Sequence, residues 1–276
     1  AAQREKMYRA YMEFFETSEK RRRWSVFEDI PWDAIDPSTN DADRALCAET
    51  FCGVEMYLPD YVSGGINLMR ASFGQAWFQA NWAYEESKHA LSLREYLVRS
   101  GQRTPEQMDA YVQSILGKKW NLPFHTPRQM TCYGAIQEGA THLFYRKQLE
   151  QAREAGDTVL STIYDLAGRD EAAHAAFYRD VLKLEMEEDR EGTLADLAWV
   201  FAHFRMPADD LVPDYDSRIE VMRAAGVDRT VFLTRVWFPI LKMLGTERAE
   251  LMKVHRKVNG SRVASSDETA TVAEAK

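Results

Sequence analysis

The stretch Leu160-Ser-Thr-Ile-Tyr-Asp-Leu-Ala-Gly-Arg-Asp170-Glu-Ala-Ala-His174-Ala-Ala-Phe-Tyr-Arg-Asp-Val181 decides the fold. Leu160, Tyr164, Ala167, Tyr178 and Val181 recur at the spacing of one face of an α-helix, and Glu171 and His174 fall on that same face. Residues three apart point the same way, so Glu171-Ala172-Ala173-His174 aims a carboxylate and an imidazole at one point. A charge on a core stripe needs a partner, because burying it uncompensated costs several kcal/mol or forces protonation. A bound cation supplies that partner.

The same construction occurs a second time. Glu86-Ser87-Lys88-His89 lies on the stripe Phe78, Trp82, Glu86, His89, Leu93, Leu97. Two further helical patterns carry one core glutamate each: Phe51, Glu55, Leu58, Val62 and Ala135, Glu138, His142, Tyr145. Glu138 follows Glu55 by 83 positions and Glu171 follows Glu86 by 85, so the chain reads as two similar helix pairs. A lone Glu-x-x-His is common on solvated helix faces, but two on apolar stripes, with two more core glutamates at matching offsets, point to one polynuclear site. Four carboxylates and two imidazoles are the donor set of di-iron and di-manganese helical bundles, and the lack of thiolates disfavours structural zinc. The expected metal ligands are Glu55, Glu86, His89, Glu138, Glu171 and His174.

Outward from these motifs the chain reads as helical almost throughout, and the expected class is all-α. The patterns predict helices near 3–23, 39–71, 73–100, 105–116, 127–155, 158–189, 193–204, 216–225 and 228–257. Thr104-Pro105 and Thr126-Pro127 read as N-caps followed by proline in the first turn, and Gly101 and Gly156 suit helix C-termini. Four segments run to roughly 28–33 residues, well beyond the average helix of ~11, as the antiparallel spans of a four-helix bundle do. Pro59 has no N–H for the carbonyl of Glu55, so a kink or bulge is expected there. Residues 1–258 are read as one domain, Met206 to Asp216 as a loop, and 259–276 as a disordered tail, being rich in Ser, Thr, Ala and charge without periodicity.

Composition narrows the function classes. The 276 residues carry 43 acidic and 35 basic side chains, a net charge of −8, which argues against a general nucleic-acid binder. No apolar run reaches the ~18 residues of a membrane helix. Cys47, Cys52 and Cys132 form no C-x-x-C pair, so a reduced, cytoplasmic protein is expected.

Four ordered motifs give the pattern a relative. Glu55-Met56-Tyr57-Leu58-Pro59, Glu85-Glu86-Ser87-Lys88-His89, Gln137-Glu138-Gly139-Ala140-Thr141 and Asp170-Glu171-Ala172-Ala173-His174 resemble the first carboxylate helix, E-E-N-R-H, Q-E-R-A-T and D-E-K-R-H of the soluble acyl-ACP (acyl carrier protein) desaturases. The resemblance covers about Glu16 to Lys183. It implies a ferritin-like four-helix bundle with additional helices, two iron ions cycling between Fe2+ and Fe3+ (manganese being the alternative), and a dioxygen-dependent enzyme of fatty acid biosynthesis that places a cis double bond in a carrier-bound acyl chain. It further implies acyl carrier protein as partner, a ferredoxin-type reductant and a homodimer. Thr141 would be a proton-relay hydroxyl in the oxygen pocket, and Trp24, Asp170 and His89 an electron route. Glu85 and Asp170 are expected to accept hydrogen bonds from the ligand imidazoles. His142 is expected to be packed or hydrogen-bonded rather than a seventh ligand. Lys20-Arg21-Arg22-Arg23 reads as a carrier-protein contact or a solvated face, and Gly64, Gly65, Asn67, Leu68 and Gly134 as candidate channel lining, with close helix packing as the other reading of the glycines.

The same ligands would also serve a related di-iron oxygenase acting on a carrier-bound or free substrate, or a metal-binding paralogue with little desaturase activity. The spacers Ser87-Lys88 and Ala172-Ala173 depart from the family pattern and leave that open. A ribonucleotide reductase small subunit fits less well, since Pro59 stands where its radical tyrosine would be, and the chain is elaborate for a ferritin cage subunit.

Overall fold

The structure, a computed structural model, describes residues 2–206, 211–224, 226 and 229–257. The expected tail at 259–276 lies outside the described residues, as do 207–210 of the expected loop.

Three uninterrupted helices form most of the bundle: α4 (Phe73–Arg99), α6 (Pro127–Glu154) and α7 (Thr158–Glu188). The expected fourth span is two helices end to end, α2 (Ala42–Glu55) and α3 (Leu58–Met69), with Pro59 in the first turn of α3. The reason is local. Pro59 cannot donate to the Glu55 carbonyl, so the chain turns through Met56 and Tyr57, whose N–H groups reach back to Cys52 and Val54, and restarts. The break falls directly after Glu55.

Caps fix the register of the long helices. Asp41 accepts from Arg44 N, Thr126 from Gln129 N and Asp157 from Leu160 N, each at 2.9–3.1 Å. In α5 (Pro105–Leu116), Thr104 and Gln107 form a reciprocal capping box. Gly101 and Gly156 take φ of 74° and 76°, the left-handed conformation their positions predict.

Around the bundle, α1 (Ala2–Thr17) lies against α4 and α7, and α8 (Arg190–Ala202) packs on α6 and α7. α9 (Tyr215–Ala224) covers α2. The helix expected at 228–257 is interrupted: α10 (Arg229–Phe232), a π-helical turn (Leu233–Trp237), α11 (Phe238–Met243) and a last helical segment at 248–257. Among the described residues there is no strand, and the architecture is the expected all-α bundle with additional helices.

Candidate metal centre

The stripes read from sequence converge inside the bundle. Glu86 and His89 from α4, Glu171 and His174 from α7, Glu138 from α6 and Glu55 from the end of α2 are all buried. Their donor atoms form two groups able to hold a metal ion, Glu55, Glu86, His89, Glu171 and Glu86, Glu138, Glu171, His174, with the atoms of each group within 4.8 Å of one another.

The two groups share two glutamates. Glu86 presents Oε2 to His89 Nδ1 at 3.2 Å and Oε1 to His174 Nδ1 at 3.0 Å. Glu171 presents Oε1 to His89 Nδ1 at 3.4 Å and Oε2 to His174 Nδ1 at 4.0 Å. Glu55 stands on the His89 side alone, at 3.9 Å, and Glu138 on the His174 side alone, at 3.4 Å. The result is two half-sites joined by two carboxylates, each closed by one glutamate and one histidine.

A cation pair fits this cluster on the state of its atoms. Glu86 Oε1, His89 Nδ1, Glu138 Oε2, both oxygens of Glu171 and His174 Nδ1 are buried without a hydrogen-bond partner. Native interiors seldom leave such groups unsatisfied, and here six converge on one place. Cys47, Cys52 and Cys132 are free, buried and outside both groups, so the donor set is oxygen and nitrogen only.

The protons show the same crowding. Burial, and then the charge of Glu86, pushes the carboxyls of Glu55 and Glu171 well above the usual range. Burial would do the same to Glu86, but His89 and His174 outweigh it and hold Glu86 below that range. Burial alone would depress the two imidazoles, yet the facing carboxylates raise both well above an ordinary histidine.

Outer partners aim the ligands. His89 Nε2 lies 3.3 Å from Asp170 Oδ2 and His174 Nε2 lies 2.8 Å from Glu85 Oε2, so both rings turn Nδ1 inward. Asp170 also accepts from Trp24 Nε1 at 2.8 Å, and the Trp24 ring lies within 5° of parallel to His89. Its carboxyl, which burial would raise, is held at about 2 by the His89 hydrogen bond and the nearby positive charges. Tyr145 OH donates to Glu55 Oε1 at 2.8 Å, and Trp82 Nε1 to Glu138 Oε1 at 3.1 Å. His142 bonds the Gly168 carbonyl at 2.7 Å and stands apart from both groups.

On one side the centre opens into a mainly apolar cavity. Glu55, Glu86 and Glu138 form part of its wall, with Phe51, Val54, Leu122, Met130 and Phe144 beyond them and Tyr215, Ile219 and Met222 of α9 across it. Thr141 is in this wall; its hydroxyl donates to the Gln137 carbonyl at 3.1 Å and accepts from Gln137 Nε2 at 3.0 Å.

The structure narrows two sequence expectations. Of the expected channel residues only Gly134 borders the cavity. Gly64 and Gly65 bear out the packing alternative: a β-carbon there would meet Leu122 at 3.1 Å and Met130 at 2.8 Å, so both admit close-packed side chains. The basic run is neither wholly a solvated face nor wholly a docking patch. Arg22 and Arg23 turn inward to Glu85, while Lys20 and Arg21 remain exposed. Periodicity carried no signal for Arg22, whereas Trp82 and Tyr145 sat on the ligand stripes and were readable as neighbours of the site.

Comparison with known proteins gives the arrangement a context. A family model described as fatty acid desaturase matches residues 55–251. A provisionally assigned acyl-ACP desaturase of Mycobacterium tuberculosis, DesA1, is 25% identical over 222 residues, covering 76% of this chain and 64% of its own. The chloroplastic palmitoyl-ACP 4-desaturase 2 of Ophrys sphegodes is 29% identical over 142 residues, or 50% of this chain and 37% of its own. The chain thus spans less than two thirds of the length of these relatives. Among solved structures, DesA2 of M. tuberculosis H37Rv, a provisionally assigned acyl-ACP desaturase, superposes with a TM-score of 0.62 at 19% identity, covering 88% of this chain and 99% of its own. An R2-like ligand-binding oxidase with a Mn/Fe cofactor reaches 0.57 at 13%, covering 88% and 94%. At these identities the structures establish the fold, a ferritin-like helical bundle.

Proposed function

Because this chain belongs to the fatty acid desaturase family, we propose that it is a di-iron, dioxygen-dependent acyl-ACP desaturase that introduces a cis double bond into a carrier-bound acyl chain. The observation that carries the reading is the pair of half-sites sharing Glu86 and Glu171, set in the wall of an apolar cavity. The reaction removes two hydrogens from adjacent methylenes and, with two electrons and two protons from outside, converts dioxygen to two waters. Two iron ions would supply the activation of dioxygen; manganese is the alternative metal for the same donors.

The residues have separable tasks. Glu55 with His89 would hold one ion and Glu138 with His174 the other, while Glu86 and Glu171 would hold both. Tyr145 and Trp82 fix the two unshared carboxylates, and Asp170 and Glu85 fix the two imidazoles. Phe51, Val54, Phe144, Ile219 and Met222 exclude water and give an alkyl chain apolar surface beside Glu55 and Glu138. Thr141, one turn beyond Glu138, offers a hydroxyl on this wall for proton delivery. Trp24, Asp170 and His89 make a continuous hydrogen-bonded path for electrons from a ferredoxin-type donor. Acyl carrier protein as partner and a homodimer follow from the family reading. Within the basic run, only Lys20 and Arg21 stay on the surface for an acidic carrier, and Lys20 is already paired with Glu16.

The test is metal content of wild type beside Glu171→Ala, then reduction and exposure to oxygen with a panel of acyl-ACPs. About two irons per chain, sharply lowered in the variant, with an alkene product, is the expected result. A hydroxylated product would move the assignment to a di-iron oxygenase, and a wild type that takes up neither iron nor manganese would overturn it.

A further inference from the structure

We propose that Arg22 is a positioning residue that locks both metal-ligand imidazoles at once, by gripping with one guanidinium the two carboxylates that hold them; this rests on the di-metal reading above. Arg22 Nη1 donates to Asp170 Oδ1 and to Glu85 Oε2, and Nη2 donates to both Glu85 oxygens at 3.1 Å. The other oxygen of Asp170 meets His89, and Glu85 Oε2 meets His174. Asp170 and Glu85 come from different helices, and each serves a different half-site. Arg22 is the point where the two supports join.

The local fold is built to deliver this side chain. After α1 the chain makes a π-helical turn, Ser18–Arg22, whose wider winding rotates the end of the segment relative to a regular helix. Arg22 is thereby turned under the bundle, with its side chain 9% exposed, its guanidinium 5.1 Å from the Phe14 ring and a further hydrogen bond to buried Ser18. No other cation replaces it. Of the two carboxylates Arg23 pairs with Glu85 and not with Asp170, its other partners being Glu19 and Asn81; Lys88 bonds the Trp24 carbonyl and covers its ring, and the spacer Ala172-Ala173 is uncharged. Among the described residues Arg22 is the one cation paired with both Glu85 and Asp170. Without it Glu85 keeps Arg23 and Asp170 keeps Trp24, but no cation lies between the two carboxylates, and their mutual repulsion loosens the hold on both imidazoles.

The consequence is distinctive. Loss of Arg22 weakens both half-sites together, whereas Asp170→Asn weakens the His89 half and Glu85→Gln the His174 half. The experiment titrates the metal-stripped full chain with Co2+, reading affinity by chelator competition and geometry by the visible ligand-field spectrum. Expected are two Co2+ per wild-type chain and, in Arg22→Ala, both affinities lowered by about 10–100-fold with an altered spectrum, as for other residues that orient metal ligands. Millimolar guanidinium ion should restore affinity and spectrum to Arg22→Ala and leave Glu171→Ala unchanged. Arg22→Lys should stay impaired, because an ammonium has no fork. Wild-type affinities and spectrum in Arg22→Ala, loss confined to one half-site, or impairment that guanidinium does not rescue would overturn the proposal. If Arg22→Ala does not fold, the two single-arm variants decide: each must weaken one half-site, and equal loss at both or at neither refutes the linkage. A wild type that binds no Co2+ would instead remove the di-metal reading itself.

Discussion

Replacing Gly134 with alanine tests how closely α6 and α7 approach beside the metal centre. A β-carbon at Gly134 would lie 2.6 Å from two carbons of the Tyr178 ring, where carbon atoms prefer ~3.5–4.0 Å. The ring must therefore retreat by about 1 Å. It has little freedom to do so: Tyr178 is buried, packs edge-on to Phe78 at 5.1 Å, and its hydroxyl accepts from Gln79 at 2.7 Å. Overpacking of this kind costs about 1–3 kcal/mol, offset in part by the ~0.5–1 kcal/mol that alanine gains over glycine inside a helix. The net expectation is a loss of about 1–2 kcal/mol, or a Tm lower by about 3–6 °C in a chain of this size. Gly168 is the internal control, equally deep in α7, with its nearest neighbour, Tyr145 Cβ, at an ordinary 3.4 Å. Gly168→Ala should raise Tm by about 1–3 °C. Thermal and urea unfolding of both variants at matched metal content, followed by circular dichroism, read the difference. Equal shifts of the same sign would refute the packing argument and the cavity wall placed at Gly134 with it.

Other consequences stem from the same geometry. Metal uptake should release at least two protons per chain near pH 6.5, one from each raised imidazole, with more from the raised carboxyls of Glu55 and Glu171. The sign is direct: the imidazolium pairs stabilise the metal-free fold below about pH 6.5 and lose that contribution as pH rises through the folded-state values, so apparent metal affinity climbs with pH. A pH-indicator titration in weak buffer checks this, and proton-neutral uptake would contradict it. Tyr145→Phe leaves Glu55 Oε1 without its donor and should cost the metal-free protein about 1–3 kcal/mol, and the loaded protein less, as read by paired melts; equal losses would mean that Glu55 does not bind metal. Trp24→Phe keeps the packing and loses the hydrogen bond to Asp170, so metal stoichiometry should hold while reduction of the loaded centre by an external donor slows in stopped-flow absorbance. Arg218 of α9, paired with Glu49 at 2.8 Å and with Thr50 at 3.1 Å, ties the cavity cover to α2. Arg218→Leu should speed hydrogen exchange in α9 before it affects α6 and α7, and uniform acceleration would count against this anchoring.

Much of this was legible in the sequence because helices convert spacing into direction. The 3.6-residue period placed Glu86 with His89 and Glu171 with His174 on buried faces, the prolines and glycines marked the helix ends, and Pro59 marked a kink or bulge near Glu55 that the structure turns into a full break. A helix face is a one-dimensional property, and one chain segment suffices to define it. What the spacing could not carry was anything set by two segments meeting. Which glutamates present both oxygens, that the imidazoles face the centre through Nδ1, that Gly64 and Gly65 serve packing while Gly134 borders the cavity, and that Arg22 turns inward depend on contacts between residues tens to more than a hundred positions apart. Side-chain chemistry and helical period thus picked out, from sequence alone, the six carboxylates and imidazoles that cluster and the helices that carry them. The bundle's packing decided how those donors share their oxygens and which cation steadies them, because those are distances between helices, and no local pattern encodes them.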